Sequence, residues 1–288
     1  MTEPLRAGLW ITAAGDGAEP TVEPAVEPAV EPAYRSPYRL RFRTSSEARQ
    51  AGFGDPPWNS PDDQAVVAPT DWYTAETAQR WGSWGPRARA YPAPAERHTG
   101  PLARERLLAV AGALIGLDYQ HHHVPAWDPP AGWPWKDVRS GRRGPGLDCS
   151  NFVSFVYSYA LGITLPTAVG EQSELHRTGP LLGPQHHRVS VVSGDYDTLT
   201  AQLLPGDILY LRSDRGTISH CVLWLGGVGE TIGAGEGPNT TPLVIDCASD
   251  PRLDAHRVPI PAGVRIRPYR RTGWYARATS HAHRIITD

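Results

Sequence analysis

Two spacings of apolar residues organise this chain. At helical spacing, Leu107, Leu108, Val110, Ala111, Leu114 and Ile115 recur after Arg104 and stop at Gly116, which predicts a helix closed by a glycine. Phe152, Val153, Val156, Tyr157 and Ala160 repeat the pattern behind a glycine-rich run, Gly141-Arg142-Arg143-Gly144-Pro145-Gly146. A loop there should turn into a second, amphipathic helix with Cys149 in its first turn. Strand-like runs follow. Residues 204–211 and 218–226 are rich in branched and aromatic residues, and Asp214, Arg215 and Gly216 connect them. They read as an antiparallel hairpin whose second strand opens at His220. Residues 243–249 are apolar except for Asp246, and residues 263–269 alternate as a final strand. The expected class is α+β, with the cysteine-bearing helix packed on an antiparallel sheet.

The first third of the chain reads differently. Val22-Glu23-Pro24-Ala25 recurs as Val26-Glu27-Pro28-Ala29 and Val30-Glu31-Pro32-Ala33. Proline at every fourth position blocks a helix, so residues 1–33 are expected to be an extended, solvated Pro/Glu/Ala-rich segment; a Pro-rich recognition peptide is the alternative. Residues 34–100 open with Tyr38-Arg39-Leu40-Arg41-Phe42-Arg43, which alternates like a strand with its arginines on one face. Trp58, Trp72, Tyr73, Trp81 and Trp84 follow amid breaking prolines and glycines. This segment is expected to be an irregular extension that packs its tryptophans on the main domain, the other reading being a glycan- or peptide-binding surface. Residues 101–288 form the expected main domain.

Composition removes some functions. The 288 residues carry a net charge of −2, with no basic excess to suggest nucleic acid. No apolar run reaches the roughly 20 residues of a membrane span. The apolar stretch within the first fourteen residues is too short and broken for a signal peptide. Three cysteines make neither a disulfide framework nor a zinc pattern; Cys221 and Cys247 could be bridged or remain two buried thiols.

The chemistry centres on Cys149. Unpaired N–H groups at a helix N-terminus stabilise an anion, so a thiol there ionises readily, and the thiolate is the nucleophile. The plain alternative is a small hydrophobe under a helix. His220, at a buried strand, could be fixed in tautomer and direction as a general base; it could also be only a strand-end histidine with a hydrogen bond.

Four motifs occur in order: Asp148-Cys149-Ser150-Asn151, Gly162-Ile163-Thr164-Leu165-Pro166, Pro205-Gly206-Asp207 and His220. This order resembles the NlpC/p60 superfamily of papain-like cell-wall peptidases, from near Leu107 to about Ser249. Asn151 departs from the family's usual glycine. The resemblance implies a papain-like domain in which Cys149 attacks an amide as a thiolate, His220 shuttles the proton, and a thioester forms and is hydrolysed. It implies that Tyr119 helps hold the oxyanion and that Asp148 and Ser150 contact the substrate near its free amine, with Asn151 beside them. A third polar residue should orient His220. Asp246 is the polar residue of the following strand; His256, in a Pro-rich loop, is its rival, and one alignment would place Cys247 there.

Between Tyr119 and Cys149 lies an insertion relative to the family. It contains His121-His122-His123, Trp127, Trp133 and Trp135. Adjacent residues of an extended chain point in alternating directions, so the three histidines are not expected to share an ion. His121, Trp133 and Trp135 are expected to line the cleft, a packed loop being the other reading. Leu165, Pro166, Thr167 and Gln172 should border the substrate groove. His176, His186 and His187 read as surface or loop residues, and Asp195 and Asp197 as turn residues. Residues 274–286 should run along the domain; His281 and His283 would face the same way if extended, leaving a ligand pair as an alternative to the expectation of no metal and no cofactor. The implied substrate is a peptidoglycan stem peptide, often cut after D-glutamate. Acyl transfer or amide hydrolysis on lipids, and an inactive wall-peptide-binding module, are the competing readings. Resemblance implies a secreted or wall-associated protein, and the sequence alone leaves the compartment open.

Overall fold

The structure, a computed structural model, describes residues 34–42, 100–119, 146–178, 188–233 and 241–287. The elements in order are β1 (Tyr38–Leu40), α1 (Gly100–Ala113), β2 (Asp118–Tyr119), β3 (Gly146–Leu147), α2 (Cys149–Leu161), α3 (Val169–Ser173), α4 (Leu175–Thr178) and β4 (Ser190–Val192). Then come α5 (Tyr196–Gln202), β5 (Ile208–Arg212), β6 (Ile218–Trp224), β7 (Gly229–Thr231), β8 (Leu243–Ala248), β9 (Arg252–Leu253), β10 (Pro259–Ile260), β11 (Gly263–Pro268), α6 (Trp274–Ala278) and β12 (Thr279–Arg284).

Among the described residues six strands form one antiparallel sheet, in the order β11-β8-β6-β5-β12-β4. The expected hairpin is β5–β6, and His220 is the third residue of β6 rather than its first. Strand alternation sorts the side chains onto two faces. Ile208, Tyr210, Cys221, Leu223, Ile245, Cys247 and Val264 join the core that contains α1 and α2. Leu209, Leu211, Val222, Trp224, Val244 and Ala282 pack with Leu199 of α5 and Tyr275 of α6. Because both faces are covered, β5 is apolar without alternation. The α+β, papain-like expectation holds.

Helix α2 is buried on nearly every side, not amphipathic as its apolar spacing predicts. Ser154 and Ser158 are as inaccessible as Phe152 and Val156. The polar residues are accommodated because their groups are satisfied internally: Ser154 Oγ donates to Pro166 O at 2.9 Å and accepts from Gln172 Nε2 at 3.0 Å. The helix ends at Gly162, at φ 68°, where Gly162 N–H bonds Ser158 O at 2.8 Å and Ile163 N–H bonds Tyr157 O at 3.3 Å. Such a close requires a left-handed residue, which glycine adopts without penalty.

Three further differences have physical reasons. Tyr38, Leu40 and Phe42 enter the same core as α1 and α2, while Arg39 and Arg41 turn outward to Glu230 of β7, so the strand opening the 34–100 segment packs with the main sheet. Asp195 caps α5, accepting Thr198 N–H at 2.9 Å, and Asp197 within α5 pairs with Arg271, so neither is merely a turn residue. The end of the chain does not run over the domain; β12 lies inside the sheet, between β5 and β4.

Candidate active site

The site begins where β3 gives way to α2. Asp148 is the N-cap: its Oδ1 accepts Asn151 N–H at 2.8 Å, Asn151 Nδ2–H at 2.8 Å and the Ser150 hydroxyl at 3.3 Å. Ser150 Oγ also reaches Thr167 O at 2.6 Å. Asp148, Ser150 and Asn151 are therefore buried and engaged with one another at the helix start. Asn151 Oδ1 has no hydrogen-bond partner among the described residues. Cys149 follows as the first helical residue, 6 % exposed, at the positive end of the helix dipole.

The electrostatics separate the three cysteines, all of which are free thiols, so Cys221 and Cys247 are not bridged. A hydrogen bond from the Cys221 thiol lowers Cys149 to about 5; burial opposes this, and the charge and hydrogen bond of His220 reinforce it. His220 is raised to about 10: burial works against its charge, but the Cys149 thiolate and the hydrogen bond to Asp246 outweigh it. The pair is thus a thiolate and an imidazolium. Burial pushes Cys221 and Cys247 well above the ordinary thiol value. Cys247 donates to Leu147 O at 2.9 Å and lies on the core face, not beside the imidazole.

Asp246 receives His220 Nε2 at 2.7 Å, which leaves Nδ1 for Cys149. The carboxylate is fully buried. Its Oδ2 also accepts the Tyr275 hydroxyl at 2.7 Å, and its Oδ1 accepts Arg267 Nε–H at 2.8 Å. Burial alone would raise its pKa, but Arg267, then His220 and Tyr275, hold it below the ordinary carboxylate value. His256 is exposed in a turn closed by Asp254, where its backbone N–H donates to Asp254 Oδ1. Of the two candidates for orienting His220, the structure brings Asp246 to it and not His256.

Tyr119 arrives by backbone geometry. β2 and β3 pair in parallel, setting Tyr119 beside Leu147, two residues before the cysteine. Burial, then the charges of Cys149 and Asp148, push its hydroxyl far up, so it stays protonated and able to donate. The insertion expected to flank the site leaves at Tyr119 and returns at Gly146, so its two ends are adjacent; His121, Trp133 and Trp135 themselves lie outside the described residues. Gln172, expected at the groove, is wholly buried and donates to Ser154 Oγ and Pro166 O, both at 3.0 Å.

Sequence reasoning missed Arg267, Tyr275 and the Cys221 thiol. Arg267 carried a signal: with Arg265 it alternates with Val264 and Ile266 in the strand that pairs with the strand of Asp246. Tyr275 carried none, because its part depends on how α6 folds back. Trp274 beside it places its ring 6.0 Å from that of His220, with Arg252 stacked over it.

Residues 136–247 match the model of the NlpC/P60 family. This match supports, over this region, the resemblance to the NlpC/P60 superfamily that the ordered motifs carry. The NlpC/P60 match takes in Cys149, His220 and Asp246 and begins after Tyr119. That family is generally one of cysteine peptidase and amidase hydrolases. Among solved structures, an NlpC/P60 family protein from Bacillus cereus is 23 % identical with a TM-score of 0.34, covering 68 % of this chain and 42 % of that one. The chain thus spans about two-fifths of that relative's length. The NlpC/p60 domain of the peptidoglycan hydrolase SagA is 19 % identical with a TM-score of 0.25, covering 50 % of this chain and 78 % of that one. No curated protein matches the sequence.

Proposed function

We propose that this chain hydrolyses an amide bond in peptidoglycan stem peptides, with Cys149 as nucleophile, His220 as acid and base, and Asp246 as the residue that orients it. The reading is supported by one arrangement: Cys149 opens α2 with its thiol lowered to about 5, and His220, raised to about 10, has Asp246 2.7 Å from its Nε2, which favours a thiolate and an imidazolium. The thiolate attacks the amide carbonyl carbon. The developing oxyanion accepts from the Tyr119 hydroxyl. His220 then gives its proton to the leaving amine as the C–N bond breaks, leaving a thioester. Neutral His220 takes a proton from water, the hydroxide displaces the thiolate, and the carboxylic acid departs. Arg267 and Tyr275 keep Asp246 ionised throughout. The peptidoglycan assignment rests on the family resemblance; Asp148, Ser150 and Asn151, buried and bonded to one another, shape the start of α2 beneath the nucleophile.

Digestion of purified peptidoglycan and soluble muropeptides, by the wild type and by Cys149→Ala, tests this with mass spectrometry of the products. Cleavage by the wild type alone identifies the nucleophile and the bond. Absent cleavage, with Cys149 still alkylated rapidly in mild acid, removes the cell-wall substrate and redirects the chemistry to lipid or other amides.

A further inference from the structure

Three histidines that the candidate active site does not use stand on the sheet face of Tyr210 and Cys221. His281 lies opposite Tyr210, which lies opposite Cys221, so the group is two strands, about 10 Å, along the sheet from Cys221. His281 and His283 alternate on β12, which turns both rings to one side; His176 comes from α4. The ring centroids are 5.0 Å apart for His281 and His283, 5.1 Å for His176 and His283, and 5.7 Å for His176 and His281. One nitrogen from each ring lies within 4.8 Å of the other two. We propose that His176, His281 and His283 form a binding site for one divalent transition-metal ion of the zinc type, with its remaining position open to water.

The polar contacts support this. His283 is wholly buried. Its Nε2 stands 3.0 Å from His176 Nδ1. Zinc–nitrogen bonds of about 2.0–2.1 Å in a tetrahedron set neighbouring donors about 3.3 Å apart, so little movement lets this pair share an ion. His281 Nε2 lies 3.0 Å from Ser173 O. A carbonyl only accepts, so that nitrogen keeps its proton and the ring is held in one tautomer, the usual support of a ligating histidine. Three imidazoles without a carboxylate favour zinc, nickel, cobalt or copper over magnesium or calcium. Loading displaces two contacts: Arg177 donates to His176 Nε2 at 3.1 Å, but it is largely exposed and also pairs with Glu174, so it can withdraw, and the Ser280 hydroxyl, 3.0 Å from His281 Nδ1, must turn away for that nitrogen to ligate. A bound ion would tie α4 to β12. It would brace the segment after Gln172, which supports α2 through Ser154 and Pro166.

The test uses the full chain without a histidine tag, stripped by chelator and titrated with cobalt(II), then zinc(II). The expected result is a single equivalent of cobalt with tetrahedral ligand-field absorption, displaced by zinc, and a zinc-dependent rise in melting temperature. His176→Ala, at a partly exposed position, and His281→Ala should each stay folded by circular dichroism and weaken binding by more than about 100-fold. A variant with His121, His122 and His123 all changed to alanine, and Cys149→Ala, should bind as the wild type does. Absence of stoichiometric binding by the folded wild type, binding unchanged in His176→Ala and His281→Ala, or binding lost with the 121–123 run overturns the proposal.

Discussion

Cys221→Ala removes one sulfur atom beside the nucleophile and isolates what that atom contributes. The Cys221 hydrogen bond is the largest influence on the Cys149 thiol, ahead of burial, which opposes it, and of His220. A hydrogen bond to a charged acceptor is worth about 1.5–3 kcal/mol, and a thiol is a weak donor, so the lower end applies. At about 1.4 kcal/mol per pKa unit, its loss moves Cys149 up by about one unit, from about 5 to about 6. The His220–Asp246 bond is untouched, so the imidazolium remains. Cys221 is fully buried, and alanine there leaves a small void that costs about 1 kcal/mol of stability.

Alkylation of Cys149 by iodoacetamide, followed across pH by mass spectrometry of the labelled peptide, reads the thiolate directly. The Cys221→Ala rate should fall about fivefold at pH 5 and match the wild type at pH 8, because the thiolate is fully formed there in both. Cys221→Ser, whose hydroxyl donates at the same place, should keep the inflection near the wild-type position. A folded Cys221→Ala protein, shown by an unchanged circular dichroism spectrum, with its inflection still at the wild-type pH would refute the assignment of Cys221 as the donor.

The pH–rate profile of kcat/KM should rise through about 5, as the Cys149 thiolate forms, and fall through about 10, as His220 loses the proton it gives the leaving amine. Limbs at the ordinary histidine and thiol values of 6.5 and 9.0 would mean that no ion pair exists. Arg267→Met takes away the charge 2.8 Å from Asp246 Oδ1, where both partners are fully buried, and should cost about 3–5 kcal/mol, a fall in melting temperature on the order of 10 °C. A melting temperature within a degree or two of wild type would show that Tyr275 and His220 suffice for Asp246. Gly263 sits at φ 88°, and a Cβ there would meet Leu117 O at 2.0 Å. Gly263→Ala should lose at least about 1–2 kcal/mol in a urea melt and shift the Leu117–Tyr119 backbone, lowering kcat while alkylation of Cys149 stays fast. Unchanged turnover would remove Tyr119 from the mechanism.

The parts of the fold legible in the sequence are those in which local spacing and burial coincide. The β5–β6 hairpin, the α1 and α2 periodicities and β8 with its one aspartate follow from apolar runs that tertiary packing keeps. Asp246 was readable because a charge in such a run needs a partner. What supports it was not: Tyr275 reaches Oδ2 from a five-residue helix after a turn at Arg270–Gly273, and no spacing announces that return. β12 was hidden for a related reason. Its sequence, Thr-Ser-His-Ala-His-Arg, is polar, and it lies inside the sheet because its histidines meet one another, His176 and the Tyr210 ring instead of an apolar core. His176 read as a surface residue because its partners are more than a hundred residues downstream.

The ordered motifs carry position more than reactivity. A thiolate needs only a helix N-terminus, a donor and a cation, but attack on an amide needs the helix fixed to a fraction of an ångström against the strand that carries its base. Asp148 fixes one end of α2, and Gly162 with Ile163 closes the other. Midway, the Tyr157 hydroxyl bonds Gly206 O at 2.7 Å. The corner at Gly206 is itself tied down: Asp207 accepts Leu204 N–H at 2.9 Å and Arg284 Nη2–H at 2.7 Å, and Arg104 of α1 reaches Pro205 O at 3.0 Å. Gly206 N–H and Asp207 O bond the backbone of Trp224 at 2.8 and 2.9 Å, at the far end of the strand that holds His220. The Gly-Ile and Pro-Gly-Asp pieces thus hold nucleophile helix and base strand in one frame. This accounts for why the set is informative only in order: each piece is an ordinary turn or cap, and together they define the distance between Cys149 and His220.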